Sequence, residues 1–342
     1  MPEDSETADI KKTLDIIMES VFNFPPDSYR QNQLEAMVAA TLGNDIVICL
    51  PTGFGKSLCF QAPALYSGYG DDTRGDAPLT VVVSPLTSLM ENQVQSLWDL
   101  NIKAIRLART QAMDKGNRAR FLLPEARILY LTPERLKTDL SLQKDLDERY
   151  ECGRLRRFVI DEAHCVAENG TSNFRKDYLK LDQIRTRWER VPITLLSATF
   201  TAQTLQRTLK ALRISTSPYL FKTTLDRPNL YWESKARNGS FSGIVYNFSQ
   251  KSCVELADAL RKYGISAFHY HADLEEPQKA NIQSLWQSGV IKVVVATVAF
   301  GLGIDKQDVG FVIHAAVPKT LEGLYQEAGR AGRDGRKAKC IL

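Results

Sequence analysis

Cysteine and histidine are scarce in this chain, with six cysteines and four histidines among 342 residues. The cysteines are scattered, with no C-x-x-C pair and no Cys/His cluster at zinc spacing. That excludes a zinc-stapled module and reads as reduced thiols in an intracellular protein. No apolar run reaches the roughly 18 residues needed to cross a bilayer. The polar, acidic start MPEDSETADIKK excludes a secretory signal. Internal repeats and long low-complexity tracts are also missing. Neither sign of charge dominates: the net charge of +4 is compatible with a polyanionic partner without requiring one. What is left is a globular composition, 44% hydrophobic and 25% charged, long enough for about two domains.

Short β-branched runs alternate with longer amphipathic stretches. DIVICL, LTVVVSP, ARILYLTP, RRFVIDEAH and ITLLSAT read as strands, with LTSLMENQVQSLWDL and TAQTLQRTLKAL as helices between them. Continuous apolar strands separated by helices predict a mainly parallel sheet covered on both faces. A second set, GIVYNF, SAFHYH, IKVVVAT and VGFVIH, begins near Gly243. Between the sets, KTTLDRPNLYWESKARNGSFSG shows neither periodicity. The expected fold class is α/β in two tandem lobes, residues 1–226 and 227–342, divided near Asp226.

The stretch LPTGFGKS resembles a phosphate-binding loop, although Leu50 stands where the usual spelling has its first Gly. A strand entering a glycine turn and leaving as a helix directs backbone N–H groups at an anion. Thr52, Gly53, Phe54 and Gly55 would form the turn. Lys56, at the start of the helix, would reach the β/γ phosphates, and Ser57 would hold Mg²⁺. The competing reading is a plain glycine turn. About a hundred residues later FVIDEAH places Asp161 and Glu162 at a strand's carboxyl end, where open α/β sheets bind ligands. Alone, that acidic pair would read as a helix N-terminus favoured by the dipole. With the glycine–lysine loop in the same lobe, it points to Asp161 on the Mg²⁺ shell and Glu162 on the attacking water.

LPTGFGKS, VVVSPLTSLMENQV, LYLTPERL, VIDEAHC, LLSATF, VATVAFGLGIDK and YQEAGRAGRDG occur in that order. Together they resemble the RecQ family of DNA helicases, from about Phe24 to the C-terminus. The resemblance implies two RecA-like P-loop lobes, ATP and Mg²⁺ as cofactors, and single-stranded and partly duplex DNA as partner. It implies 3′–5′ translocation and unwinding in recombination and repair, and the nucleus if the source is eukaryotic. By position, Arg30 and Gln33 match the adenine-reading pair. Ser84, Pro85 and Thr132 lie in segments that hold the DNA backbone, and Ser197 to Thr199 in the segment coupling hydrolysis to lobe movement. Thr297, Gly301 and Asp305 lie in the lobe-two segment facing DNA and ATP. Gln326, Arg330 and Arg333 match the final motif, whose arginines approach the γ-phosphate. An arginine supplied there can accelerate transfer by about 10³-fold or more. Read without that motif, GRAGRDGRKAK would be a basic, solvated tail.

The chain departs from the family in several places. Pro26 replaces an aromatic residue beside the adenine-reading pair. In CVAENGTSNFR, Asn169 stands where the family has Trp and a His is missing, while Phe174 and Arg175 are kept. Loss of one base-stacking aromatic costs about 1–3 kcal/mol. YNFSQ replaces roughly Y-C-N-S-R. Lobe two is short, which predicts a sheet face lacking a helix, with apolar surface showing. Zinc-binding and winged-helix modules do not follow the final motif. These departures keep two alternatives open: a degenerate helicase-like protein that binds ATP and nucleic acid without unwinding, and an RNA helicase. His269 and His271 read as structural rather than metal-ligating, His164 as a lobe-bridging residue, and Trp98, Trp188 and Trp286 as packing. RYECGRLRR reads either as a DNA contact or as an exposed approach to a strand.

Overall fold

Unbroken Val/Ile/Leu runs bury both faces of a strand, and such runs build both sheets of this protein. The computed structural model describes residues 5–25, 28–51, 53–66, 77–85, 87–107, 123–167, 178, 181–214, 217–223, 230–232, 242–300, 306–316, 318 and 321–342. The chain divides into two units, residues 1–224 and 225–342.

The first unit runs α1 (Ser5–Ser20), α2 (Gln33–Thr41), β1 (Ile46–Cys49), α3 (Leu58–Ala64), β2 (Leu79–Val83), α4 (Thr87–Asp99) and β3 (Ala104–Leu107). It continues with β4 (Ile128–Leu131), α5 (Pro133–Thr138), α6 (Leu140–Glu151), β5 (Leu155–Ile160), α7 (Asp182–Arg187), β6 (Ile193–Ser197), α8 (Ala202–Ala211) and β7 (Tyr219–Lys222). Seven strands form one sheet in the order β3-β4-β2-β5-β6-β1-β7, with every pairing parallel. Successive strand residues point to opposite faces, so the sheet feeds two cores. Val47, Val81, Leu129, Phe158 and Leu195 pack with Trp188 and Tyr178 on one side. Ile46, Ile48, Val82, Ile128 and Val159 pack with Leu14, Met37 and Phe60 on the other. Trp188 stacks on Phe158 with ring centroids 5.1 Å apart. Trp98 lies at the surface of the unit, 45% exposed, with its indole N–H donating to Ala104 O at 2.8 Å.

In RYECGRLRR the exposed turn 151–153 leads into β5, as one of the two readings expected, but three of its arginines turn inward. Arg149, Arg154 and Arg157 are buried. Arg149 donates to Ala77 O and Leu123 O, each at 2.7 Å. Arg157 donates to Asn44 O at 3.0 Å, Thr194 Oγ1 at 2.9 Å and Ala40 O. These side chains serve backbone carbonyls left over at loop and helix ends, a buried need that charge counting does not reveal.

The second unit runs β8 (Leu230–Trp232), β9 (Ser242–Tyr246), α9 (Gln250–Lys262), β10 (Ala267–Tyr270), α10 (Glu276–Gln287) and β11 (Val293–Ala296). It ends with β12 (Val309–His314), α11 (Leu321–Ala328) and β13 (Ala338–Ile341). Its six strands are also all parallel, in the order β10-β11-β9-β12-β13-β8. Two strands lie where the sequence shows no strand pattern. β8 sits inside the aperiodic stretch between the two sets. β13 forms from the basic tail, because pairing between β12 and β8 satisfies its backbone whatever its side chains. On one face Trp286 and Phe300 anchor the core with Ile244, Val294 and Val312. On the other, α9 covers Val245, Val293 and Val295, while Phe311 and Ile313 are only partly buried. Phe311 lies across Gly243: a Cβ there would meet its ring at 2.1 Å. Among the described residues no helix is long and apolar enough to cross a membrane.

Candidate active site

The loop leaving β1 turns on two glycines in the left-handed region, Gly53 at φ 80° and Gly55 at φ 71°. Side chains avoid that region, and glycine enters it freely. Ser57 stands at the N-cap position of α3 without a side-chain capping bond, and the first helical residue is Leu58 rather than Lys56. Lys56 Nζ donates to Leu50 O at 2.9 Å and Pro51 O at 3.1 Å, so its ammonium folds back over the loop.

The pair matched to adenine reading holds this same loop. Gln33, 1% exposed, accepts from Arg30 N at 2.7 Å and donates to Phe54 O at 2.9 Å. Arg30 lies over the Phe54 ring at 4.9 Å and donates to Gly53 O. The carboxamide is thus committed to the loop backbone, a role that the resemblance did not indicate. A Cβ on Gly55 would come within 2.6 Å of Gln33 Nε2. Gly55→Ala is therefore expected to break the Gln33 brace, weaken nucleotide binding at least about tenfold and cost about 1–3 kcal/mol of stability. Titration with a fluorescent ATP analogue and urea unfolding measure the two effects.

Asp161 and Glu162 emerge from β5, two strands from β1 in the sheet. Asp161 is partly buried; its carboxylate accepts from Glu162 N at 2.9 Å and from Ser84 Oγ at 3.4 Å, and Tyr178 OH donates to its backbone carbonyl at 3.2 Å. Burial first, then the Glu162 charge, pushes its carboxyl well above the ordinary range, with Lys56 opposing. Glu162 takes a left-handed backbone at φ 49°, the kind of strain that collects at functional sites. Its Oε2 is buried without a hydrogen-bond partner among the described residues, although His164 Nδ1 lies 3.3 Å away. His164 Nδ1 is also 3.1 Å from Ser197 Oγ, which accepts from Thr199 N at 3.0 Å. This ties the acidic box to the SAT segment inside the first unit.

A crowded, partly buried acidic pair, with one oxygen lacking a hydrogen-bond partner among the described residues, fits a cation. Among the described residues no three His, Cys, Asp or Glu side chains converge on one point. A divalent ion here would therefore draw its remaining ligands from phosphate oxygens and water, as Mg²⁺ does. In metal-free protein the raised Asp161 value makes the folded state hold its proton more tightly than the unfolded chain. Its contribution therefore turns unfavourable as pH rises above about 3.9 through the raised folded value. Asp161→Asn is expected to flatten that decline and to stabilise the protein near neutrality by on the order of 2 kcal/mol. Urea unfolding in EDTA across pH measures it.

Two residues matched to DNA contact lie inside the unit. Ser84 is 2% exposed and turned to Asp161, and Thr132 is 4% exposed with its hydroxyl capping α5. Both hydroxyls are thus engaged inside the unit. Pro85 remains partly exposed. In the second unit Thr297 is partly exposed at the end of β11, its Oγ1 accepting from Ala299 N at 3.4 Å. Gln326 lies on α11; Arg330 is 9% exposed and Arg333 half-buried in the turn that follows. The His269 and His271 rings stack 5.4 Å apart at 10°. Thr52, Phe174, Arg175, Gly301 and Asp305 lie outside the described residues, as do Pro26 and Asn169.

Fold and site together define a phosphate-loop protein with tandem RecA-like units. The DEAD/DEAH box helicase family model matches residues 30–208, and the helicase conserved C-terminal domain model matches residues 230–335. The ATP-dependent DNA helicase hus2/rqh1 of Schizosaccharomyces pombe is 43% identical over 92% of this chain and 24% of its own length. The RecQ-like DNA helicase BLM of Xenopus laevis is 38% identical over 92% of this chain and 24% of its own. Among solved structures, the DEAD-box helicase Mss116 bound to ssRNA shares the fold with a TM-score of 0.72 at 20% identity, covering 99% of this chain and 72% of that one. The chain belongs to the DEAD/DEAH box helicases, in their RecQ branch. It spans about a quarter of the length of these two curated relatives.

Proposed function

We propose that this chain is the motor of an ATP-dependent DNA helicase of RecQ type. It hydrolyses ATP with Mg²⁺ to move 3′ to 5′ on single-stranded DNA and to separate duplexes in recombination and repair, in the nucleus. The observation that carries this is the acidic box beside the phosphate loop at the carboxyl ends of the first sheet, where Asp161 accepts from Ser84 Oγ at 3.4 Å and feels the charges of Glu162 and Lys56. The curated relatives, named as DNA helicases, favour DNA over RNA.

In this reading Lys56 leaves the loop carbonyls for the β/γ phosphates, and the Gly53 to Gly55 backbone supplies N–H donors. Ser57 and Asp161 hold Mg²⁺, which neutralises charge on the phosphate oxygens when bound. Glu162 orients the attacking water and takes its proton; its unsatisfied oxygen leaves a lone pair available for that. Gln326, Arg330 and Arg333 serve the γ-phosphate as its charge grows. Pro85, Thr297, Phe174 and Arg175 are the DNA-facing residues; contacts to phosphates make binding independent of sequence and sensitive to salt.

The deciding experiment is ATP hydrolysis with and without single-stranded DNA, using Lys56→Ala as the blank. Strong stimulation by DNA, greater than by RNA, is the expected result. Hydrolysis at blank level or indifferent to DNA would overturn the motor reading in favour of a protein that only binds ATP and nucleic acid.

A further inference from the structure

Buried in the second unit is a polar chain that the proposed function does not use. His314 ends β12 and Tyr246 ends β9, and the two are register partners. The His314 side chain is 0% exposed, and its Nε2 lies 2.9 Å from Oε2 of Glu327, which is 9% exposed. The His314 ring stacks on Tyr246 with centroids 5.5 Å apart at 22°. Tyr246 OH donates to Phe300 O at 2.9 Å and accepts from the Arg330 guanidinium. Glu327 follows Gln326 on α11, and the turn after that helix carries Arg330.

His314 Nδ1 is buried with no hydrogen-bond partner among the described residues. The pairing to Glu327 is made through Nε2 alone. A pair this buried adds little stability beyond what apolar residues of the same size would give. Its effect is geometric: it ties α11 to the ends of two strands and sets the ring whose hydroxyl receives Arg330. An untethered arginine carries about 2 kcal/mol of rotamer entropy, and a group misplaced by about 1 Å can lose about 10²-fold in rate.

We infer that Glu327, His314 and Tyr246 are positioning residues that hold the Arg330 guanidinium in one orientation for hydrolysis. The inference rests on Arg330 acting on ATP as proposed above. The double substitution His314→Phe/Glu327→Leu replaces the pair with apolar groups of similar volume and leaves no charge unpaired. Tyr246→Phe removes only the hydroxyl. Each is expected to lower DNA-stimulated kcat by about tenfold with the ATP KM and Tm nearly unchanged. On an Arg330→Ala background, Tyr246→Phe should cost nothing further. Exchange of the Arg330 Nε–H in ¹⁵N-arginine-labelled protein, assigned with Arg330→Lys, should accelerate about tenfold or more in both variants. Folded variants with wild-type kcat, or with wild-type Arg330 exchange, would overturn the inference. If the wild-type chain hydrolyses no ATP, the motor reading fails, and the Arg330 exchange comparison by itself decides whether the three residues hold the guanidinium.

Discussion

Glu162→Gln is expected to lower DNA-stimulated kcat by about 10²–10³-fold, within the range that a lost general base costs. Nucleotide affinity should stay within about twofold, because the exchange removes a proton acceptor and keeps the side chain's size. In the reading proposed above, the role falls to this carboxylate. The Asp161 carboxylate already accepts from Ser84 Oγ and from the Glu162 N–H. Glu162 keeps an oxygen without a hydrogen-bond partner, on a backbone held at φ 49°. Rapid-quench measurement of γ-phosphate release, beside equilibrium binding of a slowly hydrolysed ATP analogue, separates chemistry from affinity. An equal fall in both would mean that Glu162 holds the nucleotide rather than activating water.

Arg157→Met is expected to destabilise the first unit by about 3–5 kcal/mol while leaving DNA affinity per folded molecule unchanged. Methionine keeps most of the stem volume but strands three acceptors, Asn44 O, Thr194 Oγ1 and Ala40 O. Each buried polar group left unpaired costs about 1–3 kcal/mol, reduced where water can enter. Urea unfolding followed at Trp188, 1% exposed on the adjacent helix end, reports the loss. Salt-dependent DNA titration checks the second half: a surface phosphate contact would lower the salt slope by about one, and a buried strut would not.

The sheets were legible because parallel strands covered on both faces need largely apolar runs, and LTVVV, ILYL, the FVI of β5 and ITLLS supply them. The phosphate loop and acidic box were legible because phosphate chemistry demands particular residue types at close spacing. Strands β8 and β13 were not, since they are held by backbone pairing to neighbours far along the chain rather than by their own pattern. Nor were the fates of single polar groups. Ser84 and Thr132 sit in segments that resemble nucleic-acid-binding ones, yet they bond inward. Gln33 matches an adenine reader, yet it braces the loop. By itself the sequence determined the class of chemistry and the two-sheet plan, because both depend on residue type and periodicity. Only the tertiary structure decided which buried donor meets which acceptor, as with Arg157 under α2 and His314 against Glu327. Those pairings join residues 13 to 117 positions apart, and burial leaves each such group a single partner or a penalty.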